Sequence, residues 1–235
     1  MTETKFSLCE FPDGALLAQS FADWTAAILA AGVAARGLAL FVVSGGLTPK
    51  LYFEALSQRD IDWSRVAVTL ADERRVPDDS PRSNARLVRE TLLKDKAAKA
   101  QFYPLADSRL DGERELSLAS ARIAQLPTPA DLVVLGMGED GHTASWFPHS
   151  PVLSEAIDPA ARALVAAAPA PDGLEPRLTL TGRALLRARN LALQIEGPKK
   201  AEVFAKAREC GPVEEMPIRA VLRNAGDRLT VFKAA

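Results

Sequence analysis

Two cysteines are all that this 235-residue sequence contains, Cys9 and Cys210, far apart and without metal-ligand spacing. That count excludes a disulfide framework and a zinc motif, so both thiols read as reduced and structural. An excess of charge of one sign is lacking too. The 29 basic residues are balanced by 30 acidic ones, for a net charge of -1. No global field is available to attract nucleic acid or a membrane surface, so any anion site must be local. No apolar run reaches the ~20 residues that a membrane helix needs. Met1 to Phe11 lack the basic-then-apolar order of a signal peptide. Neither repeats nor low-complexity tracts are visible. These absences predict a soluble, cytoplasmic protein that binds no nucleic acid and no membrane. Histidine is equally sparse, with only His142 and His149.

What is present is ordinary for a globular chain: 48% hydrophobic and 25% charged residues. The length suits one large α/β domain over residues 1–235, with a core that needs no staples. Short apolar runs at 38–43, 66–70, 131–135 and 190–195 read as buried strands. Residues 101–103, 163–168 and 178–181 are further strand candidates, and 228–232 reads as a last edge strand. Helical spacing occupies 15–36, 83–93, 113–125, 198–208 and 216–224, and Thr48-Pro49 looks like an N-cap followed by proline at the first helical position. Residues 71–80 read as a polar loop. Apolar strands alternating with helices predict a mostly parallel sheet with helices on both faces, a three-layer α/β/α Rossmann-like fold. Ligands of such sheets bind beyond the carboxyl ends of the strands. Polar, glycine-rich segments at 44–48, 71–75, 136–142 and 196–199 fall at those ends, which predicts one shared site.

Each segment offers particular chemistry. In Ser44-Gly45-Gly46-Leu47-Thr48 the glycines allow close backbone approach, and a helix start beyond them presents free N–H groups that favour a phosphate. The Gly-Lys-Ser/Thr ending of a P-loop is absent. Asp72-Glu73-Arg74-Arg75 directly follows a buried strand. There Asp72 suits sugar hydroxyls, and Arg74 a phosphate or a developing oxyanion. Gly136-Met137-Gly138-Glu139-Asp140-Gly141-His142 fits the letters of a dinucleotide fingerprint. However, Glu139 and Asp140 would occupy the pyrophosphate position, and Pro148 and Pro151 interrupt the helix that the fingerprint requires. What remains is a loop presenting Asp140 and His142. An imidazole with a pKa near ~6.5 can take a proton from water, and a neighbouring carboxylate can hold its tautomer. His149 reads as a loop residue. Arg177 and Lys199, with Lys200 as the neighbour that could replace it, are candidates to complete an anion site. No G-x-S-x-G elbow offers a serine nucleophile.

Taken together, Ser44-Gly-Gly-Leu-Thr-Pro49, Asp72-Glu-Arg74 with Val76-Pro77 and Ser83-Asn84, Leu135-Gly-Met-Gly-Glu-Asp-Gly-His142-Thr-Ala-Ser145, Pro176-Arg177-Leu-Thr-Leu-Thr181 and Gly197-Pro-Lys199 resemble the 6-phosphogluconolactonase family. That family belongs to a larger group that includes the glucosamine-6-phosphate deaminases. The resemblance spans roughly residues 38–205. It implies a sugar-phosphate substrate, 6-phospho-D-glucono-1,5-lactone, with neither nucleotide cofactor nor obligatory metal. His142 would act as general base, oriented by Asp140. Ser44, Gly45, Gly46, Thr48, Arg177 and Lys199 would hold the phosphate and nearby hydroxyls, Asp72 the ring hydroxyls, and Arg74 or loop N–H groups the oxyanion. Deaminases of the group carry Asn-Glu-Pro soon after the histidine, where this sequence has Trp146-Phe147-Pro148. Deaminase or isomerase chemistry is the second expectation, and a non-catalytic sugar-phosphate-binding domain the third.

Overall fold

The structure is a computed structural model that describes residues 5–46, 48–107, 109–110 and 112–235. Leu47 of the Ser44–Thr48 segment and Met1–Thr4 of the N-terminal stretch lie outside the described residues. In chain order the elements are β1 (Ser7–Phe11), α1 (Gly14–Arg36), β2 (Ala39–Val43), α2 (Lys50–Ser57), β3 (Val66–Leu70), β4 (Asp72–Arg74), α3 (Asn84–Thr91), β5 (Gln101–Tyr103), α4 (Gly112–Ala124), β6 (Leu132–Leu135), α5 (Leu153–Ala156), β7 (Val165–Ala168), β8 (Arg177–Leu180), α6 (Gly182–Leu185), β9 (Asn190–Glu196), α7 (Pro198–Arg208), α8 (Ile218–Ala225) and β10 (Leu229–Ala234).

Seven strands form one sheet in the order β1-β10-β9-β6-β2-β3-β5. Every pairing in it is parallel. All five residues of β2 and of β3 are buried, so both faces of the sheet are covered, as the unbroken apolar runs require. The chain builds outward from β2 through β3 to β5, then returns to place β6 on the other side of β2. That reversal opens a crevice between the carboxyl ends of β2 and β6, the place where open α/β sheets bind ligands. A second sheet, β4-β8-β7, is antiparallel and three-stranded.

The structure differs from the sequence expectations at several points. Residues 72–74 are a strand of the small sheet and not loop. Their charged side chains hide a strand whose pairing with β8 is set by tertiary contacts. The segment at 229–234 lies inside the sheet, because β1 adds beyond it, so it is not the edge. Helix α2 begins at Lys50 with Pro49 at its cap position and no side-chain cap, so Thr48 does not cap it. Helix α1 is also 23 residues long and apolar enough, by length and composition alone, to cross a membrane. Here it buries Leu17, Phe21, Ala22 and Leu29, and Phe21 stacks between Tyr52 of α2 (4.0 Å) and Phe232 of β10 (4.1 Å). Asp13 caps its start by accepting from Leu16 N, and Gly37 ends it in the left-handed region at φ 77°.

Candidate active site

The β2 and β6 ends open onto a cavity of about 160 Å³. Ser44, Gly45, Gly46 and Thr48 form one wall, Gly136, Met137 and Ala144 another, and Asp72, Arg74, Asn84, Gln194 and Lys200 close it. Three of these segments are distant in sequence, and each follows a strand of the main sheet.

The wall after β2 is built against α3. A Cβ at position 45 would overlap the Asn84 amide, so glycine is required where the loop crosses that side chain. Asn84 Nδ2 in turn donates to the Asp72 carbonyl at 2.9 Å and lies 3.4 Å from its Oδ1. Glu73 faces the opposite way and serves α3. Its carboxylate accepts from Arg74 N of β4 (2.7 Å) and from Asn84 N (2.8 Å) and Ala85 N (2.7 Å), the last two being donors that the start of α3 leaves unpaired. The neighbouring acids therefore divide their work: Glu73 fixes α3, and Asp72 faces the cavity.

Antiparallel pairing of β4 with β8 sets Asp72 opposite Thr179 and Arg74 opposite Arg177. With a two-residue side-chain period, these four share one face of the small sheet. Two arginines directly across a strand pair repel each other. Burial, followed by the Arg74 charge, pulls the Arg177 pKa below its usual range. Asp72 offsets part of that repulsion, with Oδ2 3.9 Å from Arg177 Nη1. An anion between the guanidinium groups would offset more.

The loop after β6 carries the imidazole. His142 Nδ1 lies 2.6 Å from Asp140 Oδ1, which also accepts from the His142 backbone N–H at 3.1 Å. An ionised carboxylate only accepts, so Nδ1 is the donor of this pair, and in the neutral imidazole the lone pair falls on Nε2. Burial raises the Asp140 pKa, but the hydrogen bonds and charge of His142 outweigh it and leave the carboxyl below its usual range. A Cβ at Gly138 would overlap the imidazole, so glycine is also needed beneath the ring. Beyond the histidine the loop is fastened to the small sheet. Ser145 Oγ donates to Asp72 Oδ2 at 2.6 Å, and the buried Trp146 Nε1 donates to Leu180 O at 3.0 Å.

The candidates named from sequence thus separate. Ser44, Gly45, Gly46, Thr48, Asp72 and Arg74 line the cavity. Arg177, Asp140 and His142 are not among the lining residues: Arg177 lies 3.9 Å from the lining Asp72, and Asp140 and His142 belong to the loop whose Gly136, Met137 and Ala144 line the cavity. Lys199 is mostly exposed and pairs with Glu139. Its neighbour Lys200 lines the cavity and donates to Thr48 Oγ1 at 2.9 Å. Burial pulls the Lys200 pKa below the usual lysine range, against the Glu196 and Glu139 charges. Gln194 was not legible as a site residue, although a polar side chain within the buried run Leu191-Ala-Leu-Gln-Ile195 was the available signal. Among the described residues, Ser44 Oγ, Arg74 Nε and Gln194 Oε1 are buried without hydrogen-bond partners, and all three belong to cavity-lining residues. Unpaired polar atoms on residues that line one cavity suit a polar ligand.

Residues 12–231 match the family described as Glucosamine-6-phosphate isomerases/6-phosphogluconolactonase. The chain belongs to this family. It is 50% identical over 224 residues to a 6-phosphogluconolactonase of Rhizobium meliloti, covering 95% of this chain and 97% of that protein. It is 43% identical over 206 residues to one of Pseudomonas aeruginosa, covering 88% and 87% of the two chains. The crystal structure of a 6-phosphogluconolactonase from Shewanella baltica superposes with a TM-score of 0.93 at 42% identity, over 100% of this chain and 99% of that one. A monomeric glucosamine-6-phosphate deaminase shares the fold at a TM-score of 0.78 and 18% identity, over 97% of each chain.

Proposed function

We propose that the cavity hydrolyses 6-phospho-D-glucono-1,5-lactone to 6-phosphogluconate, the second step of the oxidative pentose phosphate pathway, by general-base activation of water. The observation that carries the reading is the 2.6 Å Asp140–His142 contact, which engages Nδ1 and leaves Nε2 as the base, on the loop whose Gly136, Met137 and Ala144 line a cavity that Arg74 and Lys200 also line. The names of relatives at 50% and 43% identity support the same substrate.

In this reading water attacks the lactone carbonyl carbon while His142 Nε2 takes its proton. The Asp140 carboxylate stabilises the imidazolium that forms. Collapse of the tetrahedral intermediate breaks the bond to the ring oxygen, which receives the proton from His142 and leaves as a hydroxyl. The Ser44–Thr48 loop and Lys200 hold the phosphate through backbone N–H groups, hydroxyls and one ammonium. Arg74 and Arg177, paired across β4 and β8, face the other end and stabilise the oxyanion. Asp72, fixed by Ser145, accepts from ring hydroxyls.

General-base catalysis contributes on the order of 10²–10⁴-fold. His142→Ala should lower kcat by about that factor while 6-phosphogluconate still binds, measured above the spontaneous hydrolysis of lactone generated in situ. Near-normal turnover would remove the histidine as base. Ammonia released from glucosamine 6-phosphate would replace the lactonase reading with deamination.

A further inference from the structure

We propose that Phe147 is a positioning residue that holds the His142 imidazole and the Arg177 guanidinium at a fixed separation, one against each part of the same buried ring. This rests on the general-base reading above and adds a part to it. The ring centroids of Phe147 and His142 are 5.0 Å apart, tilted by 49°. The Arg177 guanidinium carbon lies 5.6 Å from the Phe147 centroid. One side chain therefore packs beside both groups assigned to the reacting end of the substrate.

The ring is well placed to act as a reference point. Phe147 is only 5% exposed, and the residues before it are anchored, Ser145 to Asp72 and Trp146 to Leu180. Pro148 follows with a fixed φ. His142, by contrast, is a third exposed and its ring has one hydrogen-bonded side-chain partner, Asp140. A single bond at Nδ1 sets the tautomer but leaves the ring free to tilt about it. Contact with Phe147 on one side and Gly138 beneath removes that freedom. The aromatic face also attracts cations, the guanidinium permanently and the imidazolium as it forms.

Misplacing reacting groups by about 1 Å can cost up to ~10²-fold in rate. Phe147→Leu should lower kcat by roughly tenfold to hundredfold and leave KM within about threefold. Phe147→Tyr, which keeps the ring, should stay within about threefold of wild type in kcat. In a His142→Ala background, Phe147→Leu should have a smaller further effect than in wild type, limited to the share that passes through Arg177. An unchanged kcat in Phe147→Leu, equal losses in the leucine and tyrosine variants, or additive losses in the double variant would each overturn the assignment. Should Phe147→Leu not fold, Phe147→Met carries the same predictions. Near-normal turnover of His142→Ala alone would instead overturn the general-base reading, and the positioning role with it.

Discussion

One residue of helical register separates Lys199 from Lys200, and it decides which ammonium reaches the cavity. Successive side chains on a helix point about 100° apart, so the first pairs with Glu139 at the surface and the second reaches Thr48. The sequence reading named Lys199 first and Lys200 as its possible replacement, although nothing local in Gly197-Pro-Lys-Lys200 separates the two. If Lys200 holds the phosphate, Lys200→Ala should raise KM by roughly tenfold to hundredfold, the equivalent of one charge-assisted hydrogen bond. Lys199→Ala should stay within about twofold. The pH dependence follows from burial, which lowers the Lys200 pKa. The empty site releases the lysine proton at lower pH than a free lysine would. A bound phosphate favours the charged form and raises that pKa again. Affinity for 6-phosphogluconate should therefore fall as pH rises through the lowered pKa, with a proton taken up on binding in that range. Calorimetry in buffers of different ionisation enthalpy reads the uptake, which should vanish in Lys200→Ala.

At the level of elements, the strands most legible are those whose side chains are mostly apolar. Ala39–Val43, Val66–Leu70 and Asn190–Glu196 are buried in the sheet and show it in composition. Strand β1, Ser7-Leu-Cys-Glu-Phe11, escaped detection because it pairs on one side only and is largely exposed. Strand β4 escaped because it reads Asp-Glu-Arg, and each of its charges has a tertiary partner that no local pattern announces. The site followed the same division. Loops ending buried strands were visible, whereas the β4–β8 pairing that brings Arg74 to Arg177 was not. Glu73 shows how much such a short element can carry. Glu73→Ala would leave the N–H groups of Arg74, Asn84 and Ala85 without their acceptor, at a cost of about 1–3 kcal/mol for the first and more for all three. A loss of about 3 kcal/mol lowers Tm by roughly 6–12 °C in a chain of this size. A thermal melt checks it, and an unchanged Tm would mean that α3 is fixed by other contacts.

For the molecule as a whole, the position of the site follows from topology. Strand order reverses at β2, so the crevice between β2 and β6 is the one place where two loops diverge beyond the sheet. The Ser44–Thr48 loop follows β2 and the loop carrying His142 follows β6. The small antiparallel sheet then closes the site from the side, bringing Asp72, Arg74 and Arg177. Reading the sequence placed the main loops on one edge of a parallel sheet but left the second sheet unseen, because its strands are short and one is charged. The most direct test is a crystal structure with 6-phosphogluconate bound. Its phosphate should lie within hydrogen-bond reach of Lys200 and the Gly45–Thr48 backbone, with its carboxylate between His142 and the Arg74–Arg177 pair. A phosphate seated on Arg74 and Arg177 with the carboxylate at Lys200, or a ligand remote from His142, would contradict the assignment of the two ends.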